Sequence, residues 1–347
     1  MSRIAVIGAG SWGTCLAILF ARKGLDVVLW ARSQAFAKEM ARLRENPVYL
    51  PGVVFPDILS IQSDLSEALS NKDVLLFAVP SHGLRGVASA VSDVLETFCL
   101  SRNPRAVVSA TKGIENETFL TMTGVLEEIL PPSLGRRLAV LSGPSFAEEV
   151  AASVPTAITL AGRDSQLCKD IQALFSTETF RVYTSQDVIG VELGGALKNV
   201  MAIAVGISDG MGFGANTRAA LITRGLAEMS RLGVRLGANP LTFSGLAGLG
   251  DLVLTCTGDL SRNRQVGLKL GRGIPIDAVL GGMKMVAEGV RSSRSAYNMA
   301  RKYRVETPIT AQVHDVIYKG KNPADAVRDL LSRPLNAELS GLAGAWC

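Results

Sequence analysis

Three glycines near the start of the chain have the spacing of a loop that binds phosphate groups. Gly8, Gly10 and Gly13 directly follow an apolar run at residues 3–7, and a helical pattern follows them. In such a loop the first glycine allows a tight turn, the second lets a pyrophosphate approach the backbone, and the third lets the helix pack on the strand. Because a helix N-terminus attracts anions, the pattern predicts a dinucleotide site. A glycine-rich turn without a ligand is the alternative.

The residues at the end of the second predicted strand indicate which dinucleotide binds. In NAD-specific sites this strand ends in Asp or Glu, which holds the ribose 2′-hydroxyl. Here Trp30 and Ala31 are followed by Arg32, without a carboxylate. A guanidinium can pair with a 2′-phosphate, so the sequence favours NADPH, with NAD as a second cofactor. A solvated Arg32 is the alternative.

A lysine in a glycine-rich helical segment is a candidate for contacting a substrate oxygen. Lys198 follows Gly194 and Gly195 and precedes Asn199. Long helical side chains lean toward the N-terminus, so Lys198 is expected over a hollow left by the glycines, where its ammonium can donate to a ligand, and Asn199 adds an amide donor. The alternative is that the glycines permit close helix packing and that Lys198 extends to water.

A second basic cluster has the features of an anion site. Ser261 is a good N-cap, which places Arg262, Asn263 and Arg264 in the first turn of a helix. Cations there oppose the helix dipole, and a bound phosphate would remove that conflict and accept backbone N–H donors. Exposed arginines are the alternative. Asp251, which follows a glycine-rich stretch, is either a ligand contact or an ordinary turn residue.

Two further motifs directly follow predicted strands. Lys112 comes after the strand at 106–110, and residues 142–147 come after the strand at 138–142. Parallel sheets bind ligands at the carboxyl ends of their strands, so Lys112 is expected near cofactor and substrate, and the Ser145 hydroxyl and neighbouring amides can orient the same ligand. The alternatives are a surface lysine and an N-cap at Ser145 for a short helix at 146–150.

The elements that position these residues predict an α/β fold with two parts. Buried strands alternate with helices in the first part, which predicts a doubly wound Rossmann-type parallel sheet at residues 1–188. An all-α domain is predicted at 189–332, and a mobile tail at 333–347. The predicted strands after the first are 26–30, 73–79, 106–110 and 138–142; the predicted helices are 84–95, 120–130, 189–208, 217–232, 262–270, 288–303, 308–318 and 323–331.

Composition narrows the class of protein. The chain has 347 residues, a net charge of +5, five cysteines without a C-x-x-C pair and two histidines. Free thiols favour a reducing, cytoplasmic compartment, and few histidines with distant cysteines make a metal site unexpected. The basic residues look scattered and aromatics are few, which disfavours nucleic acid. No stretch looks long and apolar enough to span a membrane.

Several motifs together resemble those of the bacterial NAD(P)-dependent glycerol-3-phosphate dehydrogenase family. They occur in the same order over residues 1 to about 332, and their joint occurrence is highly specific. They are Gly-Ala-Gly-Ser-Trp-Gly-Thr (8–14), Ala-Thr-Lys-Gly (110–113), Ser-Gly-Pro-Ser-Phe-Ala (142–147), Gly-Gly-Ala-Leu-Lys-Asn (194–199), Gly-Leu-Gly-Asp-Leu (248–252), Ser-Arg-Asn-Arg (261–264) and Val-Ala-Glu-Gly (286–289).

The resemblance implies an activity and a set of site residues. The implied reaction interconverts dihydroxyacetone phosphate and sn-glycerol 3-phosphate for phospholipid synthesis, with Lys198 as general acid/base, and a homodimer is implied as well. The implied substrate contacts are Lys112, Gly143, Ser145, Asp251, Ser261, Arg262 and Asn263; the implied cofactor contacts are Ser11, Trp12, Arg32, Lys112, Ala147, Arg262, Val286 and Glu288.

Two other functions are compatible with a Rossmann domain followed by helices. One is a related 3-hydroxy acid or 2-hydroxy acid dehydrogenase, which the basic start of the helix at Arg262 disfavours because it suits a phosphate better than a carboxylate. The other is a non-catalytic NAD(P)H-binding protein, which the two lysines near the expected site disfavour.

Overall fold

The computed structural model describes residues 2–97, 104–283, 286–335 and 337–338, and it divides into two compact units. The first unit contains residues up to 111 together with 122–188, and the second contains 112–121 and the chain from 189 onward. Most of the predicted tail at 333–347, as well as Cys99 and Cys347, lies outside the described residues.

The first unit is built on one sheet of eight strands in the order β3-β2-β1-β4-β5-β6-β7-β8. Its elements are β1 Arg3–Ile7, α1 Ser11–Arg22, β2 Asp26–Trp30, α2 Gln34–Leu43, β3 Leu59–Gln62, α3 Leu65–Leu69, β4 Val74–Phe77, α4 Leu84–Thr97, β5 Ala106–Ser109, α5 Met122–Ile129, β6 Leu138–Ser142, α6 Ala147–Ala151, β7 Thr156–Gly162, α7 Ser165–Phe175 and β8 Phe180–Ser185. The first six strands have the order of a dinucleotide-binding fold. The chain adds strands on one side of β1 up to β3 and then crosses to the other side with β4, while β1 stays parallel to both of its neighbours. The predicted Rossmann-type fold is therefore confirmed.

The sheet departs from the prediction at both edges. The short edge strand β3 and the strands β7 and β8 were not predicted, and β7 runs antiparallel to β6. β8 alternates buried and exposed residues, which is typical of an edge strand and differs from the continuous apolar runs of the central strands. The sheet is therefore mostly parallel, with one antiparallel pair formed by β6 and β7.

The second unit is helical. Its helices are α8 Val188–Gly210, α9 Ala215–Arg235, α10 Asp251–Thr257, α11 Arg262–Gly271, α12 Ile276–Gly281, α13 Glu288–Tyr303, α14 Pro308–Tyr318 and α15 Pro323–Leu331. The predicted helices agree with these to within a few residues. The sequence missed α10 and α12, which have seven and six residues, because a hydrophobic period is hard to recognise over so few positions.

Residues 112–121 belong to the helical unit, which corrects the prediction that 1–188 is one continuous domain. Ile114 is part of the core of the second unit, and the Ser295 hydroxyl on α13 donates to the Ile114 carbonyl at 3.0 Å. The segment therefore leaves the sheet after β5, packs among the helices and returns at α5. Lys112 is consequently presented by the helical unit.

The central helix α8 corrects a second expectation. By length and composition it could span a membrane, but 89% of its 18-residue apolar stretch is buried inside the structure. The glycines of α8 explain that burial in part. A Cβ at Gly206 would lie 2.2 Å from the Arg264 carbonyl oxygen of α11, so the two backbones approach too closely for any larger residue. In this structure α8 is the core helix of its unit.

Candidate active site

The glycine turn after β1 has the geometry of a phosphate-binding loop. Gly8 has a φ of +118°, and a Cβ there would lie 2.6 Å from the Ala78 carbonyl oxygen. A Cβ at Gly13 would lie 1.9 Å from the Gly8 carbonyl oxygen, whereas a Cβ at Gly10 would meet nothing within 4 Å. Gly8 and Gly13 are thus required by the fold. Gly10 instead leaves open space beside the backbone.

The start of α1 lies beside that space and has no capping side chain. Gly10 is the N-cap, and no acidic residue lies in the first turn. Ser11 and Trp12 are the first helical residues, and the buried Trp12 Nε1 atom has no hydrogen-bond partner among the residues that the structure describes. These features fit the diphosphate of a dinucleotide, so the residues present are suitable for the predicted cofactor.

A residue that the sequence analysis missed holds the turn in place. The amide nitrogen of the fully buried Asn46 donates to the Ala9 carbonyl at 3.0 Å and to the Thr14 hydroxyl at 2.8 Å. Asn46 lies between α2 and β3, in a stretch whose composition looks like an ordinary loop. No local pattern links it to the glycines, because the contact joins residues more than 30 positions apart.

Arg32 lies where a 2′-phosphate contact is expected. It follows β2 directly and is exposed, and the next residue, Ser33, caps α2 by accepting a hydrogen bond from Phe36 N at 3.3 Å. Among the described residues no carboxylate forms an ion pair with the Arg32 guanidinium. Its charge therefore remains available to an anionic ligand.

The motif after β6 forms a strained turn. Gly143 has a φ of +150° and its missing Cβ would lie 3.1 Å from Ile158 Cα. The Ser145 hydroxyl donates to the Gly143 carbonyl at 3.0 Å. The N-cap of α6 is Phe146, without a side-chain hydrogen bond, and Ala147 is its first residue. The alternative of Ser145 as N-cap is therefore wrong.

The helical unit brings two lysines onto one buried aspartate. Lys198 Nζ donates to Asp251 Oδ1 at 2.5 Å and to the Thr255 hydroxyl at 2.7 Å, and Lys112 Nζ donates to Asp251 Oδ2 at 2.6 Å. Asp251 is 1% exposed and Lys198 is 7% exposed. The alternative of a solvated Lys198 is wrong, and Asp251 is no simple turn residue. Thr255, one helical turn after Asp251, completes the cluster and was not predicted.

Burial controls the protonation of Lys198. Removal from water lowers the pKa of Lys198 to about 8; Asp251 opposes that shift by favouring the ammonium, and Lys112 lowers the pKa further by like-charge repulsion. A pKa near the working pH suits a group that gives and takes a proton. The sequence placed both lysines near the ligand, but the burial of Lys198 could not be read from it.

The expected hollow beneath Lys198 is filled at Gly194. A Cβ at Gly194 would lie 2.4 Å from the Ala247 carbonyl oxygen, so the backbone of the segment before α10 occupies that space. The packing alternative is therefore correct for Gly194. The close approach also brings α10, and with it Asp251, against α8.

The start of α11 differs in detail from a simple cationic turn. Ser261 is its N-cap, as predicted, and accepts a hydrogen bond from Arg264 N at 3.2 Å. The guanidinium of Arg264 is neutralised by Asp209, with two hydrogen bonds at 2.8 and 3.0 Å, and by Asp259 at 2.8 Å. Arg264 is consequently not available to an anion. Asp209 was not anticipated, because 55 residues separate it from Arg264.

Arg262 and Asn263 connect α11 to the start of α13. Arg262 is exposed and donates from Nη1 to the Val286 carbonyl at 3.0 Å. Asn263 donates to the Asn199 side-chain oxygen at 2.8 Å and accepts from Gly289 N at 2.9 Å. Val286 precedes α13, and Glu288 is its first residue. The structure thus brings Arg262, Asn263 and Val286 together, with both polar ends of the Asn263 amide already bonded.

No group of three or more potential metal-ligating side chains occurs among the residues that the structure describes. The buried thiols of Cys15 and Cys256 have a pKa raised to about 12 by burial, so both stay protonated at neutral pH. Proton transfer by a cysteine thiolate is therefore disfavoured.

Two family models together match most of the chain. Models of the N-terminus and the C-terminus of NAD-dependent glycerol-3-phosphate dehydrogenase match residues 3–168 and 187–328. The chain is 54% identical over 336 residues to proteins named glycerol-3-phosphate dehydrogenase, NAD(P)+, from Syntrophobacter fumaroxidans, with 97% of both chains covered, and from Geobacter sulfurreducens, with 97% of this chain and 98% of the relative covered.

A solved structure is similar over the same length. The glycerol-3-phosphate dehydrogenase of Coxiella burnetii superposes with a TM-score of 0.89 at 42% identity, covering 96% of this chain and 99% of the other. The family models match most of the chain, and the curated relatives are more than half identical to it. This chain therefore belongs to the NAD-dependent glycerol-3-phosphate dehydrogenase family.

Proposed function

We propose that this chain reduces dihydroxyacetone phosphate to sn-glycerol 3-phosphate with NAD(P)H, and that the product serves phospholipid synthesis. The observation that carries the proposal is the buried cluster in which Lys198 and Lys112 share Asp251. Family membership at 54% identity over nearly the whole chain supports the same reaction. The overall change consumes one hydride and one proton and yields the secondary alcohol and the oxidised cofactor.

The cofactor supplies the hydride when it is bound, and the chain supplies the proton. As the carbonyl carbon is reduced, negative charge develops on the ketone oxygen, and the Lys198 ammonium donates its proton there. An ammonium aimed at that oxygen stabilises the transition state more than the ground state. Alcohol oxidation reverses the step, with neutral Lys198 as base. The pKa of about 8 leaves both forms accessible near neutrality.

Asp251 and Lys112 control the orientation and the protonation of Lys198. Asp251 holds the Lys198 amine by a 2.5 Å ion pair, which fixes its direction and keeps it protonated despite burial. Lys112 leaves the cluster with a net charge of +1, because two ammonium groups share one carboxylate. That residual charge favours an anionic substrate and the developing alkoxide.

Recognition of the substrate phosphate is assigned to the start of α11. Arg262 is the available cation there, since Arg264 is neutralised by Asp209 and Asp259. The first-turn N–H groups of α11 add donors. The remaining contacts implied by the resemblance at Gly143, Ser145, Ser261 and Asn263 are part of this proposal, as are the cofactor contacts at Ser11, Trp12, Ala147, Val286 and Glu288.

NADPH is the proposed preferred cofactor. The exposed guanidinium of Arg32 follows β2, where an NAD-specific site carries an acid. A charge-assisted contact with a 2′-phosphate contributes roughly 1.5–3 kcal/mol, which corresponds to about a tenfold to hundredfold preference. NADH lacks that phosphate and is expected to bind more weakly.

A related hydroxy acid dehydrogenase function is disfavoured, although an enzyme of that kind has a similar fold. A D-mandelate dehydrogenase structure has a TM-score of 0.57 at 12% identity to this chain, so the architecture alone does not separate the two functions. The start of α11 separates them physically, because a helix N-terminus with an exposed arginine suits a phosphate dianion. Substrates that carry a phosphate or a carboxylate therefore provide the test.

The test follows NADPH absorbance with dihydroxyacetone phosphate, dihydroxyacetone and a 2-keto acid. We expect turnover with the phosphate ester and at least about 100-fold lower kcat/KM with the other two. Lys198→Ala should lower kcat by orders of magnitude with NADPH affinity nearly intact, and Lys169→Ala, at an exposed residue of α7, is the matched control. Near-normal turnover of Lys198→Ala would exclude the role of Lys198, and a preference for the keto acid would overturn the substrate.

We also propose, from the resemblance, a cytoplasmic homodimer. Light scattering of the purified chain should then give twice the protomer mass of 36.7 kDa. A single-protomer mass at micromolar concentration would contradict the dimer and leave the proposed reaction untouched.

A further inference from the structure

One helix of the second unit carries a row of four exposed cations. Arg291, Arg294, Arg301 and Lys302 are all exposed on α13. At 100° per residue they fall within an arc of about 100°, and we call this set the α13 basic face. The opposite side of α13 is buried, so the helix is held in place and presents these cations outward. The sequence expectation that basic residues are merely scattered is wrong here.

Several other surface cations have acidic partners. For example, the exposed Arg163 pairs with Glu127, and the half-buried Arg85 pairs with Glu128. Among the described residues, none of the four cations of the α13 basic face forms an ion pair with a carboxylate. After Glu288 the helix contains no acidic residue. Unpaired like charges repel one another, and an anionic partner would relieve that repulsion.

Aromatic rings lie beside the cations but are already occupied. Arg294 lies over the Tyr318 ring at 4.4 Å, and Arg301 lies 5.8 Å from the Tyr297 ring centre. Tyr297 is also stacked on His314 at 4.0 Å with an interplanar angle of 12°, and Lys319 lies 5.8 Å from its ring centre. These rings are thus poorly placed to stack on nucleic acid bases, which single-strand binding proteins use as a platform.

We propose that the α13 basic face docks this chain on anionic phospholipid surfaces. Clusters of four or more basic residues on a helix are typical of attachment to such membranes, and no large apolar side chain is exposed among the described residues of α13. The attachment is therefore peripheral, weak and dependent on salt. It requires no insertion into the bilayer.

The choice of lipid over another polyanion rests on the proposed function. Acylation of glycerol 3-phosphate produces an amphiphile that partitions into membranes, so the reaction class that consumes this product works at a lipid surface. An electrostatic contact there would release the product close to its consumer. The same charge pattern would also attract duplex nucleic acid, which the experiment must separate.

The test measures sedimentation of the full chain with vesicles. Vesicles of phosphatidylglycerol and phosphatidylcholine in equal parts should bind the chain at about 0.05 M salt and lose it at about 0.5 M, because screening shortens the Debye length; phosphatidylcholine alone should not bind. Arg294→Glu/Arg301→Glu should lower binding by about 100-fold or to the level of neutral vesicles. Arg136→Glu/Lys169→Glu makes the same charge change at exposed residues of the first unit and should retain binding.

The outcomes separate this inference from the proposed reaction. If both double variants lost vesicle binding equally, binding would depend only on the net charge of the chain, and the assignment to α13 would be overturned. Tighter binding to a duplex oligonucleotide than to anionic vesicles, or a change of oligomeric mass in Arg294→Glu/Arg301→Glu, would assign the face to nucleic acid or to a second copy instead. Reduction of dihydroxyacetone phosphate without vesicles tests the reaction independently, and both double variants should keep that activity.

Discussion

Replacing Asp251 with asparagine tests how the lysine cluster controls the proton. The substitution keeps the shape of the side chain and removes the charge that faces Lys198 at 2.5 Å and Lys112 at 2.6 Å. Two unit charges about 4 Å apart interact by about 4 kcal/mol at an effective dielectric constant of about 20, or about three pKa units. The asparagine oxygen still accepts a hydrogen bond, so we expect the pKa of Lys198 to fall by a smaller amount, about two units.

The direction of the effect follows from which form Asp251 favours. Asp251 stabilises the ammonium and raises the pKa of Lys198, against burial, which lowers it to about 8. Without Asp251 the pKa of Lys198 should therefore fall further. Reduction needs the protonated amine, so the falling limb of its pH profile should move from about pH 8 to lower pH by about two units. At pH 7.5 reduction should then be more than about tenfold slower than in the parent chain.

The assay is the pH dependence of kcat/KM for reduction of dihydroxyacetone phosphate between pH 5 and 9.5. The rising limb of the reverse oxidation should move to lower pH by the same amount, since that direction needs the neutral amine. Asp315→Asn is the matched control, because Asp315 pairs with the exposed Lys319, and its profile should match that of the parent chain. A uniformly slower Asp251→Asn variant with an unmoved limb would refute the reasoning.

Three further predictions concern the glycine turn, cofactor choice and stability. Gly13→Ala places a Cβ 1.9 Å from the Gly8 carbonyl oxygen and should lower the Tm. Gly10→Ala meets nothing within 4 Å, so it should keep the Tm while weakening NADPH binding. Equal Tm values for the two variants would contradict the turn geometry. Arg32→Glu should weaken NADPH by about 10- to 100-fold more than NADH in fluorescence titrations, and equal losses would remove Arg32 from 2′-phosphate recognition. Burial raises the pKa of Glu228 to about 7. The protonated form of Glu228 therefore stabilises the fold fully below the unfolded-state pKa near 4.3, and this contribution is lost as the pH rises through 7, which should lower the Tm between pH 4.5 and 7.5. Glu228→Gln should abolish that decline in Tm, and an unchanged pH dependence would exclude Glu228 as its source.

Elements with strong local signals could be predicted from the sequence. β1 is a continuous apolar run that ends in the glycine turn, and Ser261 caps α11 as its residue type suggests. The central strands and long helices follow for the same reason, because burial on two faces or on one stripe leaves a period in the sequence. The edge strand β8 has only six residues with partly exposed positions, and that signal is too weak to separate from a loop.

The arrangement of the site depended on contacts that no local pattern contains. Lys198 and Asp251 are 53 residues apart, and Lys112 is 139 residues before Asp251. The sequence located each residue separately, but it assigned the Lys198 environment to a hollow over Gly194, which the Ala247 backbone fills. Thr255 could have been noticed from its place one turn after Asp251 on the same helix face. Its bond to Lys198 became visible only once α8 and α10 were packed together.

The proposed chemistry accounts for the ratio of two lysines to one aspartate. A second carboxylate would neutralise the cluster, raise the pKa of Lys198 toward its ordinary value and repel a phosphorylated substrate. Removal of Asp251 would leave two neighbouring ammonium groups in a largely buried site, which is strongly unfavourable unless one loses its proton. One shared aspartate satisfies both limits, because it stabilises each ammonium enough to fold and leaves one positive charge for the substrate. Burial of Lys198 then brings its pKa into the range where a proton can move in either direction.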